Sequence, residues 1–394
     1  MRNAVTHTPL LRSAALAATI ALLLLQPAAA AAPPDLRGAG AIFPLPLYAT
    51  WLAQFARDPR IRDQYNSTGI RVDYQADNSA TGIADLVAGR VDFAASDKPI
   101  SDQEIKQVER GVVALPMTAG SIVLAYNLPG VDGLRLPRAV YPKIFAGKIT
   151  EWNDPAIAAA NPDATLPQLP ITVVVRADAT RATEVLTAHL SAIDADFKAA
   201  VGASKSPQWP ESETEPTPKS EPKQEPEQDQ ASKQEPKPTR QTFVTATRND
   251  GVAALIQQTP GAIGYMDAGY ARLVHRQQVA LIENKAGAYV AASPAAGTAA
   301  LAGGRFPRKP LPSGAADLRA ETTDPEADDA YPIVAMTYML FYATGYEGER
   351  LTAVQDLIDY CVSDAAQGEA AGLGYVPLPA PIIERVEKAA EAIR

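Results

Sequence analysis

The chain has 394 residues, 46% of them hydrophobic and 21% charged, a balance that supports a packed core and excludes wholesale disorder; at roughly 150 residues per domain, two or three folding units are expected. A net charge of -9 argues against broad binding to nucleic acid or an anionic membrane, while leaving room for a small anion site. One cysteine, Cys361, and three histidines, His7, His189 and His275, allow no disulfide within the chain and no cysteine cluster for a metal, and give little basis for a metalloenzyme or a His-dependent hydrolase.

At the start, Arg2 and Arg12 flank a basic region, an apolar run follows at 14–25, and Gln26 and Pro27 lead into alanines at 28–32. This is the layout of a cleavable secretory signal over residues 1–31, with cleavage between Ala30 and Ala32. The apolar run is too short for a membrane anchor, which needs about 20 residues. Residues 45–55 then place Leu47, Tyr48, Trp51, Leu52 and Phe55 at helical spacing behind Pro44 and Pro46. A strand over 71–75 puts Val72 and Tyr74 on one side, and Ile83, Leu86 and Val87 mark a short helix closed by Gly89. A strand at 91–95, a polar helix at 102–110, two buried strands at 112–117 and 122–126, a β-branched strand at 172–175 and a helix at 183–190 follow. Repeated strand–helix units predict an α/β protein with parallel sheets, whose ligands sit beyond the carboxyl ends of strands.

The segment 207–241 breaks this pattern. It is rich in Pro, Glu, Lys and Gln, and between 211 and 240 its only aliphatic residue is Ala231. Such a stretch cannot bury enough surface to offset the entropy of ordering it, so it reads as a disordered insert. A tolerated surface-loop insertion is favoured over a spacer or tether.

Three strand-to-helix junctions combine small residues or hydroxyls with a helix N-terminus: GAGAIF at 38–43, NSATG at 78–82 and RADATRAT at 176–183. Free N–H groups and the helix dipole favour an anion at such places. Ser79 and Thr180 are also ordinary helix-capping residues, and both readings stand at this level. Three such loops, with Arg176 opening the last, are more than capping requires.

Along nearly the whole mature chain the sequence resembles the periplasmic phosphate-binding proteins of the phosphate-specific ABC transporter. The family pattern GAGATFPxPxY is GAGAIFPLPLY at 38–48, and DFGASDxP is DFAASDKP at 92–99. GKITEWND at 147–154, RAD at 176–178, NDGV at 249–252, PGAIGY at 260–265, AYPI at 330–333 and YVPLP at 375–379 follow in family order. The resemblance implies a two-lobed periplasmic binding protein, type II-like, with two hinge strands and the ligand in the interlobe cleft. Lobe one would comprise 33–117 and 329–394, and lobe two 118–328, with the insert inside it. Phosphate would be captured between the lobes in the periplasm and delivered to a membrane permease, by a monomer with no cofactor.

The resemblance also implies a ligand set. Phe43 would offer a backbone N–H, Ser79 its hydroxyl and amide, and Asp97 would accept a proton from the ligand. Arg176, steadied by Asp178, would supply a charged fork. Thr180 stands where the family has a serine, and Arg181 where a glycine gives a backbone N–H. Family threonines are replaced by Ile42 and Ala182, and the usual Gly-rich run before Asn249 is replaced by residues 242–248. Each lost hydrogen bond to a charged ligand is worth roughly 1.5–3 kcal/mol. Arg181 turned inward, or Thr183 rotated in, would compensate; Arg181 on the solvent side would not. Asp97, if it does not simply cap the helix near Asp102, would favour protonated phosphate over sulfate. A secreted phosphate-binding scaffold or sensor without a transport role shares the fold and suits the insert and the altered ligands. An enzyme needs a nucleophile with a base, or a metal cluster, and neither His189 nor His275 belongs to one, so the chain is read as a binding protein.

Overall fold

The computed structural model describes residues 36–210, 242–320 and 322–394; the expected signal, 1–31, and the insert from 211 to 241 lie outside the described residues. Its main sheet is built from β1 (Leu36–Gly40), β2 (Val72–Ala76), β3 (Phe93–Ser96), β4 (Val112–Tyr126), β5 (Thr172–Arg176), β6 (Thr242–Ala246), β7 (Ala262–Asp267) and β8 (Val334–Tyr342). In space they run β2-β1-β3-β8-β4-β7-β5-β6, and Gln278–Val279 pairs with the end of β4.

β1 pairs parallel with β2 and β3, and β5 pairs parallel with β6 and β7. Between these groups β8 is antiparallel to β3 and β4, and β4 is antiparallel to β7. The sheet is therefore mixed, which corrects the expectation of purely parallel pairing. The reason is topological: β4 carries the chain from one parallel group to the other and β8 lies beside it in the opposite direction. A single strand also replaces the two expected at 112–117 and 122–126. Positions 112–121 of β4 pair with β8 and 122–126 with β7, and the whole strand is buried. Thr118 and Gly120, which looked like a break, serve packing instead. The Thr118 hydroxyl donates to the Val376 carbonyl at 2.9 Å, and a Cβ at Gly120 would lie 2.2 Å from the Phe43 ring.

Five helices position the site: α1 (Leu45–Arg57), α2 (Ser79–Val87), α3 (Asp102–Ile105), α4 (Arg181–Ile193) and α5 (Arg248–Gln258). α1 buries Leu47, Tyr48, Trp51, Leu52 and Phe55, the stripe its spacing predicts. Each such side chain contributes about 1.5–3 kcal/mol of gross stabilisation. Trp51 also donates its ring N–H to the Ala366 carbonyl at 3.0 Å, which ties the first helix to the C-terminal part of the chain. α2 begins earlier than 83 because Asn78 caps it, accepting the Thr81 N–H. It lies close on β1, since a Cβ on Gly82 would be 2.6 Å from the Ala39 carbonyl. α3 stops at Ile105 rather than 110. Gln107, Val108 and Gly111 bond three residues back, a tighter turn that buries Val108. Among the described residues no helix is long and apolar enough to cross a membrane.

Candidate functional site

The parallel strands of both groups end in the loops that the sequence singled out. Beyond β1 lie 41–44, beyond β2 lie 77–78, and β3 ends at Ser96 and Asp97. In the other group β5 leads through 177–180 into α4, β6 leads into α5, and β7 ends at Asp267.

On the β1 side, Phe43 is fixed from two directions. Its ring meets Tyr375 edge-on at 5.1 Å between centroids, and its carbonyl accepts the Tyr375 hydroxyl at 2.8 Å. Tyr74 donates to the Ala41 carbonyl at 2.6 Å, which fixes the start of the same loop. The N–H groups of Phe43, Ser79 and Arg181 have no hydrogen-bond acceptor among the described residues. Ser79 is not the cap of its helix; Asn78 is. The Ser79 hydroxyl instead accepts the Asp97 backbone N–H at 3.1 Å. Nor does Asp97 cap α3, which is capped by Ser101 in a reciprocal box with Glu104. Its carboxylate accepts the Thr337 hydroxyl at 3.0 Å. Burial lifts the Asp97 pKa to about 7; the Thr337 hydrogen bond opposes that, the charge of Asp267 adds to it, and Arg181 and Lys205 pull it down.

On the β5 side, Arg176 is nearly enclosed, its side chain 8% exposed. Its Nε donates to Asp178 at 2.9 Å, a second nitrogen pairs with the other carboxylate oxygen, and Nη1 donates to Asn249 Oδ1 at 3.2 Å. The arginine hydrogen bonds hold Asp178 below the usual carboxylate range. Thr180 does cap α4, accepting the Thr183 N–H at 3.1 Å. Its hydroxyl also lies 2.9 Å from that of Thr183, which in turn lies 2.7 Å from the Tyr265 hydroxyl. Thr183 is therefore buried within this row of hydroxyls and does not rotate toward the loop mouth. Arg181 pairs with Glu184 one turn along at 3.0 Å, yet its charge is felt by Asp97 and by Tyr338 in β8. Of the two replaced threonines, Ile42 is 58% exposed and Ala182 is buried.

Several residues here carried no sequence signal of their own. Lys205 accepts the Thr180 N–H through its carbonyl at 3.2 Å, and its charge reaches Asp97. Tyr265 accepts the Arg176 backbone N–H at 3.2 Å. Asp267, pushed up by burial, accepts the Asn249 amide at 2.6 Å. Thr337 faces Asp97 from β8. Tyr265 and Asn249 belonged to quoted motifs without an assigned role; Asp267 and Thr337 only become visible once strand order is known. Trp209, at the start of the proline-rich segment, packs against Phe145, Phe243 and Tyr265, so it backs the same hydroxyl row.

The arrangement gathers unengaged N–H groups, an arginine with fixed orientation and a carboxyl of raised pKa, with no nucleophile–base pair among them. It suits reversible capture of a small oxyanion that carries a proton.

A family model described as a PBP superfamily domain matches residues 27–365 of the chain. The phosphate-binding protein PstS of Xylella fastidiosa is 30% identical over 352 residues, covering 89% of this chain and 83% of that protein. PstS of Pasteurella multocida is 30% identical over 375 residues, covering 94% of each. Among solved structures, the ancestral soluble variant of the human phosphate binding protein matches with a TM-score of 0.61 at 17% identity, covering 89% of this chain and 93% of that one.

Proposed function

This chain belongs to the PBP superfamily and, within it, to the phosphate-binding proteins, and on that premise we propose that it binds one inorganic phosphate between two lobes and hands it to the permease of an ABC transporter. The lobes are taken as 33–117 with 329–394, and 118–328, joined through the crossing strands. Export by the 1–31 signal would bring the protein to the periplasm.

What supports this reading is that Asp97, ending one parallel group, feels the charges of Arg181, Lys205 and Asp267 of the other, that Asp267 in turn feels Arg176, and that the N–H groups of Phe43, Ser79 and Arg181 have no acceptor among the described residues. Phosphate would take the N–H groups of Phe43, Ser79 and Arg181, the hydroxyls of Ser79 and Thr180, and the remaining donors of Arg176. The hydroxyl row supports this direction: if Tyr265 donates to Thr183 and Thr183 to Thr180, the Thr180 proton is left for the ligand. Asp97 would accept the phosphate proton. Sulfate has none at neutral pH and would meet the carboxylate unshielded. The inward charge of Arg181 would offset part of what Ile42 and Ala182 fail to supply.

Binding is tested by melting the purified protein with and without ligand. Phosphate should raise the melting temperature in proportion to its occupancy, and sulfate at equal concentration should do so less. No shift at millimolar phosphate would count against the reading. Delivery is tested separately, by stimulation of ATP hydrolysis in a reconstituted transporter; a scaffold or sensor would bind phosphate without that stimulation.

A further inference from the structure

Asp267, at the carboxyl end of β7, has no place in the phosphate ligand set, yet it closes a hydrogen-bonded chain that ends on Arg176. Its Oδ2 accepts the Asn249 amide at 2.6 Å, and Asn249 Oδ1 accepts Arg176 Nη1 at 3.2 Å. An amide has one donating and one accepting end, and an ionised carboxylate only accepts. A guanidinium only donates, so Arg176 and Asp267 together fix which end of Asn249 faces each of them. Asp178 holds the opposite edge of the guanidinium through Nε at 2.9 Å. The ends of β5, β6 and β7 are thus tied together around one cation.

Strand register also places Asp267 with the Asp97 system. Thr337, the partner of Asp97, lies opposite Thr118 of β4, and Asp267 lies opposite Ile122 of the same strand. Residues an even number apart on a strand point to one face, and so do their directly opposed partners. Other charged or titratable groups around the pair are Arg176, Arg181, Lys205 and the hydroxyls of Tyr48, Tyr74 and Tyr375.

We infer that Asp267 is a positioning residue for the anion site: by accepting the Asn249 amide it holds Asn249 Oδ1 on Arg176 and so aims the guanidinium at the ligand. The inference rests on the phosphate reading above.

Titration calorimetry of the purified protein with phosphate and with sulfate tests it. Asp267→Asn keeps an acceptor for Asn249 and removes the charge. Phosphate affinity in this variant should stay within about threefold of wild type. Asp267→Ala, which releases Asn249 and with it the guanidinium, should weaken phosphate at least fivefold with its cooperative melt retained. A wild type that binds phosphate, with unchanged affinity in Asp267→Ala or an equal loss in Asp267→Asn, overturns this inference alone. A wild type that binds neither anion removes the phosphate reading, and this one with it.

Discussion

The backbone N–H of Asp97 donates to the hydroxyl of Ser79 at 3.1 Å, tying the end of β3 to the first turn of α2. Because the Ser79 oxygen is used as an acceptor from within the protein, its own proton is free to donate outward. Ser79→Ala should remove one charge-assisted hydrogen bond to phosphate and weaken binding about tenfold or more. Its melting temperature without ligand should change little. A variant with wild-type affinity would show that the hydroxyl serves the backbone alone.

Asp97 makes the protein's stability and its selectivity depend on pH. Its folded pKa is about 7, against 3.8 in the unfolded chain. Between those values the unfolded state loses its proton more readily, so the contribution is most favourable below pH 4 and is lost as pH rises toward 7. Asp97→Asn should therefore raise stability at pH 8 by about 4 kcal/mol and by much less at pH 4. In the wild type, a protonated Asp97 becomes a donor that sulfate can use, so the phosphate-to-sulfate affinity ratio should fall as pH drops through 7. A ratio that is flat with pH, or unchanged in Asp97→Asn, would remove Asp97 from selection.

His189, further along α4, acts in the opposite direction. It is buried beneath Tyr141, whose hydroxyl lies 2.8 Å from Nε2, while Nδ1 has no partner among the described residues. Burial pushes its pKa down from 6.5 to about 4. Its stabilising contribution is present above 6.5 and is lost as pH falls from there toward 4, by up to about 3 kcal/mol. His189→Gln should be less stable than wild type at pH 8 and should lose less on going to pH 4.5. Parallel melting curves for the two proteins across that range would contradict the assignment.

Arg181 is the clearest departure from its family, and its partners predict a mixed effect. It is paired to Glu184 at 3.0 Å but its charge acts on Asp97. Arg181→Gly should keep the backbone N–H, lose that charge, and weaken sulfate more than phosphate. Equal affinities before and after the change would make the side chain a surface feature.

Much of this was legible before the fold. The stripe of Leu47, Tyr48, Trp51, Leu52 and Phe55 located α1, and the helix-start loops marked the candidate site from residue chemistry alone. What local pattern could not supply was pairing. β4 reads as two strands because Thr118 and Gly120 interrupt its apolar run, and only its neighbours β8 and β7 explain why polar and small residues belong there. Asp267 was invisible for the same reason: a carboxylate ending a strand is ordinary until Asn249, from a different loop, is found on it. Ser79 and Thr180 looked alike in sequence, yet only Thr180 caps a helix, because Asn78 precedes Ser79 and takes that role.

The most direct test is titration calorimetry with phosphate on the wild type and on Arg176→Ala. Arg176 is nearly enclosed and is held by Asp178 and Asn249, so its loss removes the main fixed charge without removing a strand or a helix. A single phosphate per chain in the wild type and at least a tenfold weaker affinity in the variant, with its cooperative melt retained, is the predicted result. No heat at millimolar phosphate, or the same affinity in both proteins, would contradict a phosphate site at these loops.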